Sequence, residues 1–334
     1  MTTITLTAGC SYCSNTIANA DFDGTTYAWT IGQDSPNGVW FTNIFNPVIS
    51  NMTQSATALY EMVGVKNGTV AWVEGDNTAS GELYYLNAVT PNQAETSQVL
   101  GTTGSLLSMG VSSAGKLLAY AQLDDSAGSG IQYDTCIVGT GGCSNSYVLP
   151  SQNWGLPYFM GTSLGVNATN PPYMFWIVPG ASYNNNNVLV DYNLVNGNAD
   201  VLVTPSAGSY PWNGNWGPMV SDGTYVYWWD VGPTTAPFKP GINRIALGSP
   251  GTPTTFFTPV VASGKYYTED DDLAFNGSSI YFAYSSNADG VVYVASQPTN
   301  STTATNLVTL SNSVVHLRAG NGYIAWLQTG ANAS

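Results

Sequence analysis

Three segments of the chain combine aromatic rings with hydrogen-bonding polar groups and are the best candidates for binding a ligand. Residues 153–159 read NWGLPYF, residues 210–216 read YPWNGNW and residues 266–272 read YYTEDDD. The apolar face of a pyranose stacks on an aromatic ring, while its hydroxyls need fixed donors and acceptors. The pattern therefore predicts a site for a neutral glycan. Its residues are Trp154, Tyr158, Trp212, Trp216, Tyr267 and Asp271.

The same aromatic residues have a structural alternative. Large rings also fill the spaces between neighbouring structural repeats, where they contribute to the core rather than to a site. Against this alternative, Pro and Gly flank Trp154, Trp212 and Trp216, as expected of loops rather than of packed strands.

Carboxylates near these segments leave an enzyme open as a second interpretation. Glycoside hydrolysis needs two carboxyl groups at a defined separation, and Glu61 with Asp270 or Asp271 could supply them. His316 is the only histidine, and strand alternation would place it on the same side as Arg318. One histidine leaves little scope for a Ser-His-Asp triad or a zinc site built on paired histidines. The candidate catalytic residues are Glu61, Asp270, Asp271 and His316.

An acidic run could hold a cation. It consists of Glu269, Asp270, Asp271 and Asp272. Hard oxygen ligands suit Ca²⁺, although the run has no Asp-x-Asp-x-Asp-Gly loop, and a solvated acidic loop is the alternative. The interpretation requires no cofactor, and Ca²⁺ is the one ion considered.

The overall charge restricts the partners. The chain carries six Lys and Arg residues and a formal net charge of −14, and only 8% of its residues are charged. It lacks the cationic surface that nucleic acid, anionic polysaccharide or an anionic membrane would need. No apolar run reaches the length of a membrane span. The expected partner is a neutral glycan or a glycosylated surface, and the oligomeric state is open.

The cysteines and sequons are typical of an extracellular protein. Cys10 with Cys13, and Cys136 with Cys143, form two local pairs. Structural disulfides are the favoured interpretation, and a redox or half-zinc site for the first pair is the alternative. Six Asn-x-Ser/Thr sequons are candidate glycosylation sites, although a chain rich in Asn, Ser and Thr also forms sequons by chance. They begin at Asn51, Asn67, Asn167, Asn276, Asn300 and Asn332.

A repeated motif must provide the framework that positions these residues. A turn, usually containing Gly, is followed by a short alternating strand centred on an aromatic residue. The seven aromatics are Trp29, Trp72, Tyr120, Trp176, Trp228, Phe282 and Trp326. Successive copies are 43 to 56 residues apart, which is the length of a four-stranded propeller blade.

The repeat predicts an all-β, seven-bladed β-propeller that forms a single domain over residues 1–334. The last copy ends too early to supply four strands, so Thr3–Thr7 would complete it and join the two ends of the chain. The predicted blades are approximately 16–58, 59–104, 105–150, 151–205, 206–260, 261–310, and 311–334 with 1–15.

One copy resembles a known blade type. Tyr227-Trp228-Trp229-Asp230, followed by Gly241-Ile242-Asn243-Arg244-Ile245, is similar to the Tyr-Trp-Thr-Asp repeat of secreted and receptor propellers, with Trp229 in the place of Thr. The resemblance covers one blade. It implies a propeller fold, an extracellular setting and a binding surface rather than an active site.

Together these patterns favour a secreted or cell-surface, lectin-like propeller that binds a neutral glycan at the mouth of its channel over blades four to six. A glycoside hydrolase on the same face and a structural or adhesive extracellular protein are the alternatives. An exported chain would have lost its leader peptide.

Overall fold

The structure is a computed structural model of the 334-residue chain. It describes residues 17–31, 37–55, 58–66, 68–78, 81–89, 96–102, 106–111, 117–124, 130–137, 142–148, 159–162, 173–178, 188–193, 195–203, 219–230, 241–259, 267–269, 273–286, 291–312 and 314–328. Between residues 74 and 172 the description is of the backbone alone.

The described residues form 27 β-strands and no helix, as the short alternating segments predict. The strands fall into seven antiparallel sheets, and the chain divides into two compact units. Unit 1 comprises residues 1–147 with 320–323, and unit 2 comprises residues 148–319 with 324–334.

Unit 1 contains three four-stranded sheets, each built from consecutive strands. The first has the order β1 (Ile17–Phe22), β2 (Thr26–Ile31), β3 (Asn37–Asn43), β4 (Asn46–Ser55). The second has the order β5 (Ala58–Lys66), β6 (Thr69–Thr78), β7 (Gly81–Val89), β8 (Thr96–Thr102). The third contains β9 (Leu106–Val111), β10 (Leu117–Asp124), β11 (Gly130–Ile137) and β12 (Gly142–Val148).

Unit 2 repeats this arrangement. Its first sheet is β13 (Phe159–Thr162), β14 (Tyr173–Val178), β15 (Val188–Asn193), β16 (Ala199–Val203). The next is β17 (Met219–Ser221), β18 (Tyr225–Asp230), β19 (Gly241–Ala246), β20 (Thr254–Phe257). The third is β21 (Tyr267–Glu269), β23 (Ser279–Ser286), β24 (Val291–Pro298), β25 (Thr305–Leu310), with β22 (Ala274–Phe275) also paired to β23.

The last described sheet has two strands, β26 (Val314–Gly320) and β27 (Tyr323–Gln328). The turn between them, residues 320–323, groups with unit 1. Thr3–Thr7, which the sequence predicts to complete this sheet, lie outside the described residues, so that pairing stays a prediction.

The repeat aromatics occupy equivalent positions. Each of the seven lies in the second strand of its sheet, in β2, β6, β10, β14, β18, β23 and β27. This confirms the prediction that they share one structural position. Trp72, Trp176, Trp228 and Phe282 are fully buried, so these rings belong to the core.

The hydrophobic core lies between successive sheets of each unit. In unit 1, Ala28 and Val39 of the first sheet pack with Val63, Val70 and Trp72 of the second. In unit 2, β14–β16 share one cluster with β18 and β19, and β18–β20 share another with β22–β24. Alternating strand residues therefore bury two sheet faces against each other, the packing that stacked sheets require.

Side chains of β1 also bind the backbone of β5. Asn19 and Asp21 of β1, and Asp23 directly after it, are spaced two residues apart. The side chain of each accepts a hydrogen bond from a backbone N–H at or beside β5. Val63 N donates to Asn19 Oδ1 at 3.3 Å, Val65 N donates to Asp21 Oδ2 at 2.7 Å, and Gly68 N donates to Asp23 Oδ2 at 2.7 Å. Both strands are sheet edges, so these acceptors satisfy donors that no neighbouring strand could reach.

Asp23 organises a tight backbone contact within unit 1. Its Oδ1 accepts hydrogen bonds from Thr25 N and Thr26 N, each at 2.9 Å, and its carbonyl accepts one from Asn321 Nδ2 at 3.0 Å. Gly24 has a φ of +97°, which favours glycine. A Cβ on Gly320 would lie 2.5 Å from the Asp23 carbonyl carbon and 2.6 Å from Gly24 N, so the backbones meet where only glycine fits.

We predict that Gly320→Ala destabilises the protein by about 1–3 kcal/mol or more, because the atoms that its methyl group would meet are backbone and cannot rotate away. Gly251→Ala is the matched control, since the nearest atom to a Cβ there, Ser249 O, is 4.0 Å away. Denaturant unfolding of both variants measures the difference, and equal stabilities would refute the contact.

Candidate functional site

The strands that receive the three predicted binding segments are neighbours in unit 2. The segments lead into β13, β17 and β22, which belong to three successive sheets, and residues 267–269 of the third segment themselves form β21. β13 contacts β17, and β17 contacts β22 of the third sheet. The fold of unit 2 thus brings together the three strands into which these segments lead.

The segments themselves lie mostly outside the described residues. Trp154, Tyr158, Trp212 and Trp216 are not described, and neither are Asp270, Asp271 and Asp272. Tyr267 and Glu269 are the two ends of β21, where their backbones pair with Ser286 and Tyr284. The glycan site and the Ca²⁺ site therefore stay predictions. Among the described residues, no group of three or more His, Cys, Asp or Glu side chains is placed to hold a metal ion.

Glu61 lies in β5 at an irregularity of the sheet. The register between β5 and β6 shifts between Tyr60 and Met62, which pair with Glu74 and Val73, so Glu61 is the extra residue of a β-bulge. Bulges re-aim a side chain and are common next to functional sites. Glu61 belongs to unit 1 and the acidic run to unit 2, so the proposed carboxylate pair rests on the sequence alone.

His316 has a backbone conformation that is uncommon for a residue with a side chain. Its φ is +54°, in the left-handed region, although it lies within β26. Val314, Leu317 and Ala319 all join one hydrophobic cluster. The alternation of inward and outward side chains is therefore interrupted at His316. The prediction that His316 and Arg318 lie on the same side assumed an uninterrupted alternation, which β26 does not have.

An exposed pair of aromatic rings in unit 1 was not singled out by the sequence. Phe45, in the turn between β3 and β4, is 66% exposed, and Tyr323, at the start of β27, is 46% exposed. Their ring centroids are 5.7 Å apart at 84°, an edge-to-face contact. Ile44 N donates to Thr25 O and Phe45 N to Asn43 Oδ1, each at 2.9 Å, so hydrogen bonds hold the Phe45 turn. The only sequence signal is an aromatic residue within two positions of Asn at each turn.

Asp191 is a buried carboxylate in unit 2. Its side chain is fully buried in β15, its Oδ2 accepts a hydrogen bond from Gly248 N at 2.6 Å, and its Oδ1 has no partner among the described residues. Asp200 is its direct cross-strand partner in β16. Burial raises the pKa of Asp191 to about 6, the Gly248 N–H opposes this, and the Asp200 charge adds to it.

Arg244, one of the six cations, takes part in packing within unit 2. Its guanidinium lies 4.7 Å from the ring centroid of Tyr225 and 5.4 Å from that of Phe256. Its Nη1 donates to Thr299 O at 2.8 Å. Beside it, Tyr227 donates its hydroxyl to Asp222 Oδ2 at 2.7 Å, and burial together with this carboxylate raises the pKa of Tyr227 far above its ordinary value.

The run that resembles a Tyr-Trp-Thr-Asp blade forms β18. Tyr227, Trp228 and Trp229 are almost wholly buried there. These three residues serve the core of unit 2 and offer no surface to a ligand.

The strands that carry the second cysteine pair are adjacent. Cys136 lies in β11 and Cys143 in β12, which neighbour each other in the third sheet of unit 1. Their side chains, and those of Cys10 and Cys13, lie outside the description, so both disulfides stay predictions. Within the described ranges, no helix could cross a membrane.

Comparisons with known proteins identify the fold. No family model matches the chain, and no curated protein matches it. Among solved structures, it is similar to the β-propeller domain of the Trilobed protease from Pyrococcus furiosus, which is described as having an open velcro topology. That match has a TM-score of 0.65 and 8% identity, and it covers 95% of this chain and 92% of that one.

Two enzymes show the same likeness. Acylaminoacyl peptidase from Pyrococcus horikoshii matches with a TM-score of 0.60 and 9% identity over 94% of this chain and 49% of its own, so the chain spans about half the length of that peptidase. Oligogalacturonate lyase from Vibrio parahaemolyticus matches with a TM-score of 0.58 and 11% identity over 91% of this chain and 83% of its own. At these identities the likeness shows the fold alone. The chain has a β-propeller fold.

We predict that protonation of Asp191 stabilises the protein as the pH falls. The folded carboxyl, with a pKa of about 6, binds its proton more tightly than the unfolded one, whose ordinary value is 3.8. Its contribution to the free energy of unfolding therefore rises by about 1 kcal/mol from pH 7 to pH 5. Asp191→Asn keeps an acceptor for Gly248 N–H and removes this contribution. If wild type and variant show the same change between the two pH values, the assignment is wrong.

Proposed function

We propose that this β-propeller is an extracellular carbohydrate-binding protein, and that the aromatic segments preceding β13, β17 and β22 hold a neutral glycan. The observation that carries the proposal is the adjacency of the strands that receive these segments in unit 2. The tryptophan and tyrosine rings of these segments would provide a stacking surface, and Asp271 would provide an acceptor for sugar hydroxyls.

The charge distribution favours an uncharged ligand. Arg244 is held by packing and a backbone carbonyl, and the Nη1 of Arg318 donates to Leu317 O at 2.8 Å. With six cations in the whole chain, few remain to neutralise an anionic polymer. The oligogalacturonate lyase is similar in fold, but its named substrate is a carboxylated glycan. The neutral-glycan proposal accordingly rests on this chain's own residues.

We also propose that the seven sheets are seven blades of one propeller, with Thr3–Thr7 pairing beside the two-stranded sheet of β26 and β27. The equivalent position of the seven aromatics in second strands supports this count. In such an arrangement the segments that precede β13, β17 and β22 would share one face of the propeller.

The test substitutes one aromatic of each kind. After a neutral-glycan array identifies a ligand, we expect Trp216→Ala to weaken its binding by about 1–3 kcal/mol in calorimetry and to leave the melting temperature almost unchanged. Trp228→Ala is the matched core control: Trp228 is 1% exposed, so its removal should cost about 3–5 kcal/mol of stability.

Other outcomes would contradict the proposal. A large loss of stability in Trp216→Ala would place that ring in the core, and a wild type that binds no neutral glycan would end the carbohydrate hypothesis. If Phe45→Ala rather than Trp216→Ala abolished binding, the site would lie at the exposed pair in unit 1. Reducing sugar released from the ligand by wild type but not by Glu61→Gln would show a glycoside hydrolase instead.

A further inference from the structure

Two sequons in unit 2 occupy opposite environments, although their sequences are equally good acceptors for an N-linked glycan. Asn276-Gly277-Ser278 forms the turn between β22 and β23, and Asn300-Ser301-Thr302 lies between β24 and β25. An N-linked glycan is bulky, so the folded protein accommodates it only where the modified amide faces solvent.

Both polar atoms of the Asn276 amide are hydrogen-bonded within the fold. Its Oδ1 accepts hydrogen bonds from Ser278 N at 3.1 Å, Ser278 Oγ at 3.2 Å and Ser279 N at 3.0 Å. Its Nδ2 donates to the Tyr281 hydroxyl at 2.7 Å. These bonds set the turn in which Gly277 has a φ of +103°. A sugar on Nδ2 would have to share the space beside the Tyr281 hydroxyl.

The amide of Asn300 is available. Asn300 and Thr302 are exposed, and neither side chain has a hydrogen-bond partner among the described residues. Hydrogen bonds of other groups hold the turn: Ser301 N donates to Pro298 O at 3.0 Å, and Thr303 N donates to Ser301 Oγ at 3.0 Å. The hydroxyl at the third sequon position, which the transferring enzyme must engage, is therefore open as well.

We propose that Asn300 is an N-glycan attachment site of the folded protein and that the fold excludes Asn276. In the transfer, Nδ2 of Asn300 forms a bond to the anomeric carbon of a lipid-pyrophosphate-linked oligosaccharide. The bond from that carbon to the phosphate oxygen breaks, the lipid pyrophosphate leaves, and the amide proton passes to a base. The proposal is independent of whether the propeller binds glycans. Asn51 is also exposed, but it lies within strand β4 rather than in a turn.

The experiment maps the glycans of the full chain secreted by a eukaryotic host. Enzymatic release of the glycans in ¹⁸O-water marks each modified asparagine for mass spectrometry, and a co-secreted reference glycoprotein verifies that the host transfers glycans. We expect Asn300 to be modified in most molecules and Asn276 in a small minority. Thr302→Ala, which keeps Asn300 and removes only the acceptor hydroxyl, should abolish the modification.

Stability measurements on unglycosylated protein separate the two roles. Asn300→Gln should leave the melting temperature unchanged, while Asn276→Gln should lower it by a few degrees because the longer side chain cannot make the same turn. An unmodified Asn300 beside a modified reference protein, equal occupancy at both sequons, or a melting temperature that Asn276→Gln leaves unchanged would each overturn the proposal.

Discussion

Hydrogen bonds from backbone N–H groups at sheet edges to side chains of the neighbouring sheet are the constraint on which this structure depends. Every sheet in a stack of twisted sheets has two edges, and an edge donor that neither a strand nor water reaches is costly. In unit 1, Asn19, Asp21 and Asp23 of one sheet accept bonds from β5 of the next. This series fixes the register between sheets, because a slip of one residue would turn all three acceptors to the opposite face.

Unit 2 also joins successive sheets by hydrogen bonds between side chains and backbone, although in two of the three a side chain donates to a backbone carbonyl. Asp191 accepts from Gly248 N, Arg244 donates to Thr299 O, and the buried Gln297 donates to Phe256 O, each bond joining two successive sheets. Around these bonds the space is filled by rings, such as Trp229 against Phe282 and Phe257 against Tyr284. A chain with 8% charged residues thus places several of its charges where they connect sheets. A solvated network of ion pairs would contribute little in comparison.

Local patterns explain why the framework could be predicted from the sequence and the contacts could not. A turn glycine followed by an alternating strand is a short-range signal, so all seven aromatics were correctly placed in second strands. The Phe45–Tyr323 contact joins residues far apart in the sequence, and the acceptor role of Asp21 depends on its register with Val65. His316 departs from alternation because its backbone is left-handed, a conformation that is uncommon for residues other than glycine and that an alternating strand pattern does not reveal. The candidate glycan-binding segments are predicted from composition, which gives residue chemistry but no geometry.

The lengths of the repeats give an independent reason to look for function between the strands of unit 2. The repeat aromatics from Tyr120 to Phe282 are 52 to 56 residues apart, whereas those from Trp29 to Tyr120 are 43 to 48 apart. The strands do not account for the difference: β13, β17 and β21 have four, three and three residues, while β5 and β9 have nine and six. The additional residues of unit 2 therefore lie outside its described strands. Strand residues are constrained by the pairing and burial on both sides, but segments between strands can lengthen and change composition at little cost to the fold. In this repeat protein only some of these segments carry the extra length and the aromatic residues. That gives the chain the asymmetry that a single binding site requires.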